Sequence, residues 1–275
     1  MYQVLDKDTI KEEILPHLSV AKRGYKTKSC LAEIVNSILY KLKTGCQWHL
    51  LPVKSLFSER VLSYKTVFWH FRKWCKNGNW KQGWIALLSS HKSHFDLSSA
   101  AIDGSHTTAL RGGEQVAYQG RKKRKTTNSL YLTDRQGLPL ALSNPIAGNH
   151  NDLYEIERSV GELFDTLSSA NIWLDGLFIN ADAGFDSKEF RLACFKEGIF
   201  ANVAFNKRNR NENEDAILDE YLYQERYSIE RTNAWIDSFR SLLNRFDTTV
   251  ESWEAFNYIA FMVILLRKIK RRKKV

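Results

Sequence analysis

The sequence predicts a mixed α/β protein in which an all-helical region, residues 1–95, precedes a region of alternating strands and helices, residues 96–275. Three observations carry this prediction. Apolar residues recur at helical spacing in two runs before residue 80. Beyond residue 98, short apolar runs bounded by turn signals alternate with amphipathic stretches. The hydrophobic fraction, 43% of 275 residues, is ordinary for a chain that buries a sizeable core.

In the first region Leu31, Ile34, Val35, Ile38, Leu39 and Leu42 share one helical face, followed by a break at Gly45 and a loop at Pro52. Tyr64, Val67, Phe68, Phe71 and Trp74 form a second run that ends near Gly78. Two helices joined by a turn-rich segment have the outline of a helix-turn-helix DNA-binding unit, and equally that of an ordinary packed pair. The basic residues Lys65, Arg72, Lys73, Lys76 and Lys81 add weight to the first reading.

In the second region residues 99–103 make a short strand that ends in Asp103-Gly104-Ser105-His106. Residues 130–133 and 138–146 flank the turn Asp134-Arg135-Gln136-Gly137 and predict a hairpin. Asp152, with Glu155 three residues on, has the pattern of a capping box for a helix that turns Ile156, Val160, Leu163, Phe164 and Leu167 inward. Residues 177–181 form a strand ending at Asp182, Asp186 and Glu189 repeat the capping pattern, and residues 199–204 form a last strand. Residues 206–215 read as a polar loop, and a long helix begins near Tyr227. There are no internal repeats.

Lys and Arg number 41 against 31 Asp and Glu, a net charge of +10. A surplus of that size favours a polyanionic partner, because each neutralised phosphate releases counterions. Cys30, Cys46, Cys75 and Cys194 form no C-x-x-C pair and have no His at zinc-site spacing, so they read as reduced thiols of a cytosolic protein. The N-terminus lacks a signal-peptide pattern, and the most apolar segment, residues 258–266, is too short to span a bilayer. The expectation is a soluble cytoplasmic protein with no membrane partner.

Nucleic-acid phosphoryl transfer commonly uses two Mg²⁺ ions roughly 4 Å apart, held by carboxylates from separate chain segments. Most acids here have a local explanation: Asp134 and Asp175 in turns, Asp152 and Asp186 as caps. Asp103 and Asp182 have none, since each ends an apolar strand where an unpartnered charge is costly. On a helical wheel of residues 229–246, Ile229, Trp235, Ile236, Phe239, Leu242, Leu243 and Phe246 fall on one side. Glu230, Asn233, Asp237, Arg240, Ser241 and Asn244 fall on a neighbouring polar strip. Glu230 reads equally as a site residue bordering a cleft and as an acid favoured at a helix N-terminus.

The segments Leu42-Lys43-Thr44-Gly45-Cys46-Gln47-Trp48-His49-Leu50-Leu51-Pro52 and YKTVFWHFRKWCKNGNW, together with AIDGSH, NADAGFDS and YQERYSIERTNAWIDSFRSLLNRFD in this order, resemble bacterial insertion-sequence transposases of the DDE class, the insertion-sequence-five group. The resemblance runs from about residue 25 to 270. It implies an RNase H-like catalytic domain, with one carboxylate on the first strand, the second after the fourth strand and a glutamate on a later helix. Asp103, Asp182 and Glu230 match these places, as catalytic residues and as ligands of two Mg²⁺ ions, with Mn²⁺ able to substitute. Tyr223, Arg226 and Glu230 also match the related signature Tyr-x2-Arg-x3-Glu-x6-Lys, but Asp237 stands where its Lys belongs. Arg240 is the expected substitute for that Lys.

The implied activity is cleavage at transposon inverted-repeat ends, then transfer of the released 3′-hydroxyl into target DNA. Double-stranded DNA and a second copy of the chain are the expected partners, in the bacterial cytoplasm at the nucleoid. Lys122, Lys123, Arg124, Lys125, Arg208, Arg226, Arg231 and Arg240 are the expected DNA contacts. The basic residues 267–274 fit phosphate contact or plain solubility alike. His106 is a candidate to approach the site, while Trp235 reads as core. A nuclease without strand transfer, or a non-catalytic DNA-binding descendant of a transposase, are the alternative functions.

Overall fold

The computed structural model describes residues 3–20, 29–206 and 217–272. The expected polar loop beyond Asn206, with Arg208, lies outside them, as do Lys273 and Lys274. The chain divides into two compact units: residues 1–87 with 236–275, and residues 88–235.

In the first unit, Leu31–Thr44 forms α1. Ile34, Val35, Ile38, Leu39 and Leu42 are fully buried, as their spacing predicts. Its buried band is wider than the apolar stripe because two charges inside it are satisfied. Glu33 accepts from Ser58 and pairs with Lys7 at 3.2 Å, and Lys41 donates to Ser241 Oγ at 3.0 Å. Gly45 closes α1 at φ +68°, its N–H returning to the Lys41 carbonyl, a conformation that suits glycine.

Tyr64–Lys76 forms α2, capped by Ser63, whose hydroxyl accepts from Thr66 N–H. Val67, Phe71 and Trp74 turn inward, while Phe68 and Trp69 are 38% and 56% exposed. Of the basic residues on this helix, Arg72 is tied down: it donates to the Thr249 and Ser252 hydroxyls and faces Glu251. Asn79–Ser90 forms α3, which brings Trp80 edge-on to Trp74 at 5.7 Å.

The second unit is built on a mixed sheet. Its strands are β1 (Ala100–Ala109), β2 (Ala117–Gln119), β3 (Arg124–Asp134), β4 (Pro139–Leu142), β5 (Ile146–Ala147), β6 (Phe178–Ala181) and β7 (Phe200–Val203). β3 runs antiparallel to β1 along its length, β6 lies parallel to β1 on the other side, and β7 lies parallel to β6. The outer edge of β3 takes β2, β5 and β4 in succession, all antiparallel. Three antiparallel strands, β4-β3-β1, are thus continued by two parallel ones, which is the RNase H-like arrangement. Helices supply the crossovers that parallel strands require: α4 (Ile156–Ser169) packs on β4, and α5 (Lys188–Lys196) on β7 and α4.

Three sequence expectations are corrected. β1 does not stop at Asp103 but continues to Ala109, because the polar residues 104–108 keep their ladder with β3 although the apolar pattern has ended. Asp152 does not cap α4. The cap is Glu155, in the left-handed region at φ +49°, which turns the chain between Asp152 and the helix. Asp186 does not cap α5 either; Ser187 does, and buried Asp186 instead pairs with Arg191 at 2.8 Å.

The helix expected from Tyr227 is also shorter. α6 spans Ser228–Asp237; Phe239 is extended, a single turn follows at Arg240–Leu243, and Asn244–Arg245 is extended again. The wheel fails beyond the break: Ser241 is buried, while Leu243 and Phe246 are 39% and 45% exposed. The final helix, α7 (Val250–Arg272), belongs to the first unit rather than following the sheet as a part of it. Its Phe256 stacks on Phe71 at 4.5 Å and its Phe261 meets Trp84 at 5.4 Å. Among the described residues, no helix is long and apolar enough to cross a membrane.

Candidate active site

The adjacent parallel strands β1 and β6 bring the first two carboxylates together. Ala100 pairs with Ile179 and Ala101 with Asn180. Two further steps of that register set Asp182, the residue after β6, level with Asp103. Asp103 lies within β1 opposite Tyr131 of β3, and its Oδ1 accepts from the following Gly104 N–H at 2.9 Å. Asp182 Oδ1 accepts from Gly184 N–H at 2.8 Å and so caps the turn Ala183–Phe185. Glu230 is exposed in the first turn of α6. Its side chain makes no hydrogen bond or ion pair among the described residues.

These acids share one electrostatic neighbourhood. Burial pushes the Asp103 carboxyl up to about 6, and the negative charges of Asp182, Asp152 and Glu230 push in the same direction against the Gly104 N–H. None of the groups acting most strongly on it is a Lys or Arg. A buried carboxyl with further carboxylates near it is a donor set suited to a hard divalent ion. The fit is one of chemistry rather than of closed geometry: among the described residues, no group of three or more His, Cys, Asp or Glu stands arranged around a metal position.

Asp152 was not legible as a member of this group. It lies between β5 and α4 and is held from the sheet: Asn128, fully buried on β3, donates from Nδ2 to Asp152 Oδ1 at 2.7 Å. His106 Nε2 is 4.0 Å from the same oxygen, and His106 Nδ1 is 3.3 Å from Thr126 Oγ1. His106, the sequence candidate, thus stands beside Asp152. Burial lowers its pKa, Asp152 raises it, and Lys122 and Arg121 lower it further. The Asp-x-x-Glu spacing concealed Asp152, since nothing in the sequence marks Glu155 as left-handed.

The basic residues separate into groups. Lys122, Lys123, Arg124 and Lys125 are all exposed at the end of the β2–β3 hairpin, with Lys123 at φ +50°. Lys122 Nζ reaches the His106 carbonyl at 3.4 Å, so the hairpin tip adjoins the strand that carries Asp103. Arg226 lies 5.9 Å from the centre of the Tyr223 ring, just before α6. Arg231 follows Glu230 on α6, and its Cβ stands against Gly137, leaving no room there for a larger residue. Arg240 does not continue the polar strip of Glu230, because the helix ends at Asp237. It packs instead against Gly45 in the first unit. Trp235, expected in the core, is only half-buried. Tyr118 is 58% exposed.

An RNase H-like sheet with carboxylates gathered across two parallel strands defines a class, the divalent-metal-dependent enzymes of polynucleotide phosphoryl transfer. The family model of the DDE superfamily endonucleases matches residues 102–267, and the chain belongs to that family. Residues 9–84 match a second model, "Putative transposase of IS4/5 family", and the chain is an insertion-sequence DDE transposase. Among solved structures it is similar to the Mos1 transposase paired-end complex with left transposon end, at 11% identity over 89% of this chain and 80% of that one, with a TM-score of 0.29. The pre-cleavage Mos1 transpososome and the Mos1 strand transfer complex score the same, at 10% and 12% identity. No curated protein matches the chain.

Proposed function

We propose that the chain cleaves DNA at transposon inverted-repeat ends and joins the released 3′-hydroxyl to target DNA, with Asp103, Asp182 and Glu230 as its catalytic carboxylates. One observation supports the assignment above the rest: the parallel register of β1 and β6 sets Asp182 level with Asp103. Two Mg²⁺ ions held by these residues would activate the attacking oxygen and stabilise the leaving one; Mn²⁺ has the same preference for oxygen donors.

The chain's own residues set the conditions for that chemistry. The Gly104 N–H orients Asp103, and the Gly184 N–H orients Asp182, each bond engaging Oδ1 and leaving Oδ2 outside it. Glu230, exposed in the first turn of a helix, would supply the third carboxylate. Lys122, Lys123, Arg124 and Lys125, exposed at the end of the β2–β3 hairpin, would bind DNA phosphates, and Arg226 and Arg231 flank Glu230 in sequence. The exposed face of α2, with Lys65, Trp69 and Lys76, is the DNA-contacting part of residues 1–95. Two ends must meet for transposition, so the active form is a homodimer on DNA.

The test is an assay on duplexes carrying the flanking inverted repeats, followed by a joining assay with pre-cut ends and a supercoiled target. Cleavage and joined product, both dependent on Mg²⁺, are expected. Cleavage with no joining under any divalent ion would replace this reading by a nuclease without strand transfer.

A further inference from the structure

Asp152 lies outside the three segments AIDGSH, NADAGFDS and YQERYSIERTNAWIDSFRSLLNRFD that hold the proposed ligands. Its position is built rather than incidental. Asn128, with no exposed surface, donates to one carboxylate oxygen, and that oxygen is also the one His106 approaches. Asn128 Oδ1 is buried with no hydrogen-bond partner among the described residues, so the side chain is tied through Nδ2 to Asp152. The carboxylate is seated directly on Gly104: a Cβ at position 104 would collide with Asp152 Oδ1 and Cγ, and those are its nearest obstacles. Gly104, Leu130 and the pair His106–Asn128 face one side of the sheet by strand alternation, and Asp103 faces the other. Asp152 therefore presses on the strand from behind Asp103, at the peptide whose N–H holds Asp103 Oδ1.

We infer that Asp152 is a positioning residue of the cation site: hung from Asn128 and seated on Gly104, it fixes the backbone step that orients Asp103 and adds a negative charge behind it. The inference rests on the assignment of Asp103 as a ligand. Residues that orient metal ligands from behind typically change metal affinity by roughly 10–100-fold when altered. Asp152→Asn keeps the shape and still accepts from Asn128, but removes the charge. Asp152→Ala removes both. Gly104→Ala displaces the Asp152 carboxylate without touching it chemically, and in the Asp152→Ala background the three atoms nearest the added methyl are gone.

The experiment is Mn²⁺ binding to the full chain without DNA, read from the loss of the free-ion EPR signal. Wild type should bind, Asp103→Asn should lose that binding, and Asp152→Asn should weaken it about 10-fold, with Asp152→Ala weaker still. Gly104→Ala should resemble Asp152→Ala, and the double variant should be no worse than Asp152→Ala alone. Asp152→Asn and Asp152→Ala both within twofold of wild type, while Asp103→Asn has lost the ion, would overturn the role of Asp152 and leave the proposed ligands intact. Wild-type binding by Asp103→Asn would overturn the ligand assignment itself and this inference with it. Because Asp152→Asn preserves the hydrogen bond and the packing, a purely structural role predicts no change in that variant.

Discussion

A site assembled from mutually repelling carboxylates should cost stability when no cation is bound, and Asp103→Asn measures that cost. The Asp103 carboxyl rises from 3.8 to about 6, first because of burial and then because of its acidic neighbours. At 1.36 kcal/mol per pH unit this corresponds to about 3 kcal/mol. The sign follows from proton linkage. The folded chain holds the Asp103 proton more tightly than the unfolded chain, so stability falls as pH rises from about 4 to about 6 and stays lower above that range. Urea unfolding in EDTA should therefore find Asp103→Asn more stable than wild type by about 1 kcal/mol at pH 4.5 and by up to about 3 kcal/mol at pH 8. Asp134, which burial also pushes up to about 6, is present in both proteins and leaves them a shared slope. Adding Mg²⁺ at about ten times its Kd should return about 1.4 kcal/mol to wild type and nothing to the variant. An Asp103→Asn protein no more stable than wild type at pH 8 would refute the reasoning.

Replacing Lys122, Lys123, Arg124 and Lys125 by Gln should weaken binding to inverted-repeat duplex and lower the slope of log affinity against log salt by about 0.9 for each phosphate left without its cation. An unchanged slope in filter binding would remove the hairpin from the DNA interface. Asp186→Ala leaves Arg191 without its buried partner and should cost roughly 3–5 kcal/mol, seen as a lower urea midpoint, although Asp186 has no part in the chemistry. Phe71→Ala empties a fully buried site that stacks on Phe256, and should cost roughly 3–5 kcal/mol in the same assay.

The order of the elements was legible wherever one physical signal dominated. The stripe of α1 and the apolar runs of β6 and β7 gave their positions to within a residue or so, because burial on one face imposes the spacing. β1 was cut short for the converse reason: beyond Asp103 its residues are polar and only half-buried, and the ladder to β3 is a long-range fact that no local pattern encodes. The capping readings at Asp152 and Asp186 failed together, since a carboxylate three residues before a Glu fits a cap whether or not tertiary partners claim it. Asn128 and Arg191 claim these two. The break after Asp237 was hidden by an apolar period that persists through it, and it separates Arg240 from the polar strip assigned to Glu230. Asp103 and Asp182 stood out by lacking a local explanation; Glu230 needed the surrounding Tyr223 and Arg226 spacing; Asp152 needed the structure.

The central claim is that Asp103, Asp182 and Glu230 act together on a phosphodiester through bound divalent ions. The most direct measurement is single-turnover cleavage of an inverted-repeat duplex by wild type, Asp103→Asn, Asp182→Asn and Glu230→Gln, with duplex affinity measured for each in parallel. Loss of cleavage in all three variants, with affinity within a few-fold of wild type, is the predicted result. Cleavage at wild-type rate by any one of them would contradict the account.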